Sequence, residues 1–564
     1  MKRLTSASAR DLVVDYLSRT EISALQLEIR QYPEETIFVV YVSDSQFRAA
    51  LNVAPEIDKS FRAVGFPGFV TFRKASDAEE KKSETKGLRG VAHPRADDLA
   101  NLLTARSRTS EVQPSLEYVR DASNKLDVII TARNHLIFGR RGAGKTTLMV
   151  EAKRRLDEAS HATVWVNMQT HRHSSPEVVF LWVLSGIIER LQTYFGERQP
   201  RVLAELSELK QSVDGLLAQQ SVARKDATRL VPHAQRIVKR FISTGGCRLY
   251  IFLDDLHYIS RDHQPILLDM VHGVTRDIDA WIKVACIKHL SRWFEHNPPT
   301  GLQTGHDADH VELDLTLEAP AEAKAFLDQV LNVYSSHVGL NSAKSIFSDE
   351  AMNRLFLASG AVPRDYLVLA AATIRIAKAR PNARLVGVQD VNRAAGEQSK
   401  VKIAELEDDA ASQADGGARA IIRALSRVRA FCLDETRYTF FKVDFRDKEQ
   451  RQAEYGLIQG LLDVRIVHLI ASSLSDKREA GRRGEVFMLD LSQFTGERFK
   501  KKIHVLDFVG SHLVLKETSS SKPDKKGDTS SRLLELLRLG PTLGLDTLPT
   551  DDTHTRAVGV VKKK

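Results

Sequence analysis

Cysteine is scarce: Cys247, Cys286 and Cys432 are the only three in 564 residues, and none sits in a C-x-x-C spacing. That excludes a disulfide framework and a cysteine-based zinc site, and makes a reducing cytoplasm the expected compartment. Long apolar runs are missing too. The longest, VVFLWVLSGII near Val178–Ile188, is too short to span a bilayer and reads as a buried helix, so no membrane is expected as a partner. The opening stretch MKRLTSASARDLVVDYL breaks its apolar residues with charge and shows no cleavage pattern, so no secretory leader is expected. Neither a nucleophile elbow nor a metalloprotease helix occurs. His171 and His173 form an H-x-H pair without a nearby third ligand and read as loop residues.

What remains is ordinary globular composition, 42% hydrophobic and 27% charged, in a chain long enough for about three or four domains. The net charge of +9 permits an anionic partner without demanding one, so its placement matters more than its sum. Residues 1–75 read as a small α/β unit, with strands at Thr36–Ser43 and Gly68–Lys74 around a helix, followed by a polar linker over 76–113. Residues 114–318 alternate short apolar runs with helical stretches, the pattern of an α/β parallel-sheet core. The expected strands are His135–Phe138, Thr163–Asn167, Leu249–Leu253, Lys283–Ile287 and Val311–Leu315. A helical region over 319–404 opens at Pro320, suited to a first helical turn. Residues 418–512 read as a helix leading into a β-hairpin, and 513–564 as a flexible tail carrying the amphipathic stretch SRLLELLRL.

The most informative stretch is FGRRGAGKTTL, directly after the apolar run His135–Ile137. Gly139, Gly142 and Gly144 permit a tight turn whose N–H groups converge on an anion, and the helix that follows adds its positive end. Nine residues would hold a nucleotide: Gly139, Arg140, Arg141, Gly142, Ala143, Gly144, Lys145, Thr146 and Thr147. In this P-loop Lys145 reaches the β- and γ-phosphates and the Thr146 hydroxyl coordinates Mg²⁺. Downstream, RLYIFLDDLHYI is a buried strand ending in two acids. Asp254 is placed to hold Mg²⁺ through water and Asp255 to orient the attacking water. His257 reads as a buried, satisfied histidine. Asn167, at a strand end, faces either the reacting water or solvent.

This order of parts resembles the AAA+ ATPases over roughly residues 115–510, closest to the origin-recognition and replication-initiator branch, with features shared by the STAND signalling ATPases. The resemblance implies a P-loop NTPase core, a helical lid and a C-terminal winged helix, with ATP and Mg²⁺ as ligands. It makes Gly139–Thr146 the Walker A motif and YIFLDD the Walker B motif. It places Lys288 at sensor 1 and Arg364, in GAVPR, at sensor 2, where a lid guanidinium clamps the γ-phosphate. Two departures matter. Asp254-Asp255 stands where many members have Asp-Glu, and the candidate arginine finger between Ile287 and Val311 reduces to Arg292. Both point to slow or partner-stimulated turnover.

The turn ASSLSDKREAGRRGE carries Lys477, Arg478, Arg482 and Arg483, so a cationic wing could meet the phosphates of double-stranded DNA. The helix before it, QAEYGLIQGLLDV, offers few groups for base edges. A basic turn on a winged helix used for packing or homo-oligomerisation fits the same residues. Two readings therefore stand open: a DNA-associated ATPase, and a STAND-like nucleotide-gated switch with protein partners.

Overall fold

A computed structural model describes residues 6–31, 36–64, 66–74, 90–107, 117–121, 123–195, 200–412, 417–476, 481–495, 502–509, 512–517 and 529–549. The chain divides into two units, Met1–Pro94 and Arg95–Lys564.

In the first unit β1 (Ala24–Gln31), β2 (Thr36–Val42) and β3 (Gly68–Lys74) form a sheet in that order. β2 runs antiparallel to β1 and parallel to β3, so the helix Phe47–Ala63 is the crossover that a parallel pair requires. Phe38, Ile57, Phe61 and Phe66 are buried between helix and sheet, with Phe61 5.4 Å from Phe38 and 5.3 Å from Phe66. β2 and β3 fall where the sequence placed them. β1 was not foreseen, because only one of its faces is apolar and its residues are interleaved with charge.

The second unit is built on five parallel strands: β4 (Asn134–Phe138), β5 (Ala162–Asn167), β6 (Leu249–Asp254), β7 (Ala280–Cys286) and, after a hairpin of β8 (Phe294–His296) and β9 (Pro299–Gly301), β10 (Ala308–Glu312). Their order is β10-β4-β7-β6-β5. From β4 the chain crosses to the far edge and returns strand by strand, which opens a crevice at the carboxyl ends where ligands bind in such sheets. Both faces are covered. Leu136, Ile251 and Val284 pack under the helices Pro176–Phe195, Arg224–Gly245 and Gln264–Thr275, while Ile137, Phe252 and Ala285 pack against Leu148, Met149 and Leu156 of the helix Lys145–Glu158. Burial on both sides explains the near-continuous apolar runs of these strands.

Helices Pro320–His337, Asp349–Ala358, Pro363–Lys378 and Val388–Ser412 follow. Then come the helix Gly417–Ala430, β11 (Phe440–Asp444), the helices Phe445–Gln450 and Gln452–Asp463, and β12 (Val467–Ser475) and β13 (Arg483–Leu489). The antiparallel order β11-β13-β12 beside these helices has the order of parts expected of a winged helix, in which the β12–β13 hairpin would be the wing.

Several sequence expectations are corrected. The last core strand is Ala308–Glu312 rather than Val311–Leu315, because after Leu313 N–H donates to Phe138 O (2.8 Å) the chain turns so that Asp314 can accept from the Arg140 backbone. Within the supposed linker, Pro94–Ala105 is a helix that buries Ala96, Leu99 and Leu103; Asp97 pairs with Lys378 and Thr104 accepts from Arg375 (2.8 Å), both on the helix Pro363–Lys378. The C-terminal domain does not end at 512, since β14 (His504–Val509) pairs with β15 (His512–Glu517). Nor is the tail wholly flexible. The helix Thr529–Leu539 leads to Pro541, whose carbonyl accepts from Lys442 N (2.8 Å), and Leu537, Leu543, Leu545 and Leu548 are buried. Apolar burial and one strand-like pairing with β11 hold this segment in place.

Candidate nucleotide site

The loop from Gly139 to Gly144 joins β4 to the helix Lys145–Glu158. Gly142 (φ +85°) and Gly144 (φ +97°) both lie in the left-handed region that side chains resist. At Gly142 an added Cβ would also come within 2.8 Å of Arg364 Cβ, so this glycine lets the loop meet the helix Pro363–Lys378. The same contact is sealed by Arg364 N–H donating to Gly142 O (3.3 Å). Arg140 anchors the loop from behind: its backbone N–H and Nε donate to Asp314 Oδ1 (2.8 and 3.3 Å), and its guanidinium donates to Leu315 O (2.8 Å).

Lys145 is buried, its Nζ donating to Gly139 O (2.7 Å) and Arg140 O (3.2 Å). Thr146 Oγ1 donates to Asp254 Oδ2 (2.9 Å), which brings the loop and the end of β6 together across the intervening strand β7. Asp254 is 3% exposed, and its Oδ1 has no hydrogen-bond partner. Burial, then the neighbouring Asp255 charge, pushes the Asp254 carboxyl up to about 7, against the pull of Thr146 and Lys145. Burial also raises Asp255, opposed by Lys145 and Arg141. An orphaned carboxylate oxygen beside a threonine hydroxyl fits Mg²⁺, a hard cation held by one or two protein oxygens together with phosphates. Among the described residues no cluster of three His, Cys, Asp or Glu suits a metal held by protein alone.

Asp255 follows in a left-handed conformation (φ +60°) that turns its side chain off the strand. His257 Nδ1 lies 3.9 Å from Asp255 Oδ1, too far to hydrogen-bond. Burial first, then Lys145 and Arg141, push the His257 imidazole down to about 3, so it is neutral at pH 7. A cavity of about 900 Å³ joins these groups. It is lined by the loop residues Arg141–Thr147, by Asp254 and Asp255, by Arg364 and by Arg465. Tyr118, Val119, Phe326, Val330, Tyr334 and Leu367 give it an apolar wall suited to a base.

The structure gathers Lys145, Thr146, Asp254, Asp255 and Arg364 into one cavity and sorts the remaining candidates. Asn167, level with Asp254 in the β5–β6 register, lines the cavity, and its side chain accepts from Gln169 N–H (2.9 Å). Lys288 does not line it. Lys288 reaches Glu312 (3.4 Å) and lies over the Phe138 ring. Arg292, the finger candidate, pairs with Asp262 (3.3 Å) and Glu295. Of the wing cations Arg482 pairs with Asp444, Arg483 is exposed, and Lys477 and Arg478 lie outside the described residues. Sequence reasoning missed Asp314, Asp365, Lys402, Arg465 and Asp490. No local motif marks them, since each acquires a role only by meeting a residue far away in the chain.

A family model described as AAA ATPase domain matches residues 124–280. Among curated proteins none matches. Solved structures align loosely: the Aeropyrum pernix ORC1 protein in complex with DNA shares 12% identity over 66% of this chain and 90% of its own, with a TM-score of 0.35. Cdc6p from Pyrobaculum aerophilum shares 10% over 67% and 93%, with a TM-score of 0.28. Drosophila ORC bound to DNA shares 11% over 69% and 89%, with a TM-score of 0.25. Scores this low transfer no property of those proteins to this one. In the described residues no helix is long and apolar enough to cross a membrane. The phosphate loop and the acid pair both lie within the stretch 124–280 that the AAA ATPase domain model matches.

Proposed function

We propose that this chain binds and hydrolyses ATP with Mg²⁺, and that its nucleotide state sets the lid and, through it, the winged helix, in the manner of the origin-recognition branch. The observation that carries this reading is the convergence of Thr146, Asp254 and the lid residue Arg364 on one phosphate loop. Backbone N–H groups and Lys145 bind the phosphates, and the apolar wall takes the base. Thr146 and Asp254 hold Mg²⁺, which when bound offsets charge on the β- and γ-phosphates. Asp255 accepts a hydrogen bond from the water that attacks the γ-phosphorus, and ADP leaves. Arg364 gives the lid a guanidinium that the γ-phosphate can engage.

Asparagine tolerates the left-handed backbone at 255, so Asp255→Asn removes the charge without straining the turn. Correct placement of a proton-accepting group is worth roughly 10²–10⁴ in rate. The variant is expected to bind ATP like the wild type and to hydrolyse it at least ~100-fold more slowly. Unchanged turnover would remove Asp255 from this role.

The proposed partner is double-stranded DNA, met by the basic wing. DNA should then stimulate hydrolysis, and the effect should fade as salt rises and displaces the phosphate contacts. A second reading, the STAND-like switch with protein partners or self-assembly, is favoured by two observations. Arg482 is already paired within the chain, and the helix Gln452–Asp463 buries Tyr455, Ile458, Gly460 and Leu461. Turnover that ignores DNA at every salt concentration, with ATP still bound, would select it.

A further inference from the structure

The winged-helix domain reaches the phosphate loop through Arg465, in the turn between the helix Gln452–Asp463 and β12. Arg465 NH1 donates to the carbonyl of Arg141 (3.4 Å), inside the loop itself, and Arg465 lines the same cavity as Lys145 and Thr146. Its Nε lies 3.1 Å from Asp365 Oδ2 on the lid helix, an ion pair without hydrogen-bond alignment, and Nε has no hydrogen-bond partner. Asp365 Oδ2 has none either. A guanidinium carries five N–H donors in a planar fork. Among the described residues Arg465 commits one of them, at long range, while the rest of its surroundings are buried.

The backbone here is held against its preference. Arg465 adopts φ +60°, a conformation that costs a non-glycine residue roughly 1–2 kcal/mol and persists only where neighbours enforce it. Those neighbours come from three other parts of the unit. Lys402 Nζ, from the helix Val388–Ser412, donates to Arg465 O (3.1 Å) and pairs with Asp365 (3.2 Å). Asp463, two residues earlier, meets His289, just beyond β7, at 2.6 Å. Arg465 N–H donates to Leu462 O (3.0 Å), closing the turn. The strain therefore serves to aim one under-used cation at the loop.

We propose that Arg465 is a phosphate-binding residue supplied by the winged-helix domain, which releases its long contact with the Arg141 carbonyl to engage the terminal phosphates of a nucleoside triphosphate. The C-terminal domain thereby responds to the nucleotide directly, not only through the lid. Arg465 continues straight into β12, so a shift at the turn is passed to the wing hairpin. This rests on the nucleotide-site reading above.

The test compares ATP, ADP and AMP binding to the full chain by calorimetry, for the wild type, Arg465→Ala and Arg465→Gln. A charge-assisted hydrogen bond is worth about 1.5–3 kcal/mol, roughly 10- to 100-fold in affinity. The variants should lose that factor for ATP while AMP binding is unchanged. Equal losses for ATP and AMP would assign Arg465 a purely structural role and overturn the proposal, as would wild-type ATP affinity in a folded variant. If neither variant folds, hydrogen exchange on the wild type decides. ATP, more than AMP, should slow exchange in Val467–Ser475, and identical protection by the two contradicts the proposal. A wild type that binds none of the three would instead sink the nucleotide site itself.

Discussion

Lys145→Ala is expected to abolish measurable ATP binding. The amine already sits at the mouth of the loop, held by two carbonyls 2.7 and 3.2 Å away, and it is the side chain that must turn toward the β- and γ-phosphates. Two charge-assisted hydrogen bonds at about 1.5–3 kcal/mol each correspond to a loss of roughly 10²- to 10⁴-fold in affinity. In a thermal-shift assay the wild type should gain stability with ATP and Mg²⁺ and the variant should not, with the two melting alike in the absence of nucleotide. A variant that still binds ATP tightly would mean that the loop is a glycine turn rather than a phosphate cradle.

The second large effect lies away from the chemistry. Asp490 is fully buried, accepts from Ser492 N–H (3.0 Å), lies 2.6 Å from His468 Nε2 and 3.8 Å from Lys402 Nζ. Lys402 in turn pairs with Asp365. Burial alone would raise the Asp490 carboxyl, but Lys402 and the His468 hydrogen bond hold it down to about 2. Asp490→Asn leaves Lys402 with less compensating charge in a dry interior, and breaking a buried pair in this way costs about 3–5 kcal/mol. The melting midpoint should fall by on the order of 10 °C. The pH dependence has a definite sign. A depressed carboxyl contributes stability above its ordinary value of 3.8 and loses it as pH falls toward about 2, so the wild type should lose about 2 kcal/mol across that window. The variant should lack this component. Equal midpoints at neutral pH would show that the network does not tie the helices Pro363–Lys378 and Val388–Ser412 to His468 and Asp490.

The sequence made the central parts readable wherever chemistry is local. The phosphate loop must be a contiguous run, because consecutive backbone N–H groups make it, and Gly139–Thr146 was therefore visible as a string. Asp254 and Asp255 were visible because a two-sided buried strand has to be continuously apolar and then end in polar residues. Arg364 was found only through its resemblance context, since a helix-start arginine has no signature of its own. Asp314, Asp365, Lys402, Arg465 and Asp490 could not be found at all. Their side-chain and loop partners lie between 22 and 324 residues away, and ordinary charged residues look the same in sequence whether solvated or buried. The helix Thr529–Leu539 was read as amphipathic, but nothing local foretold that the residues directly after it pair with β11. Lys288 shows the opposite error: position after a strand suggested a role, but the side chain turns toward Glu312 and away from the cavity.

The central claim is that one phosphate site governs this chain, and titration of the purified full-length protein with ATP by calorimetry, with and without Mg²⁺, tests it most directly. One ATP per chain is expected, bound more tightly when Mg²⁺ is present, because Asp254 Oδ1 has no hydrogen-bond partner and stands beside a Thr146 hydroxyl that now spends its hydrogen bond on Asp254 Oδ2. No heat of binding, or binding indifferent to Mg²⁺, would contradict it.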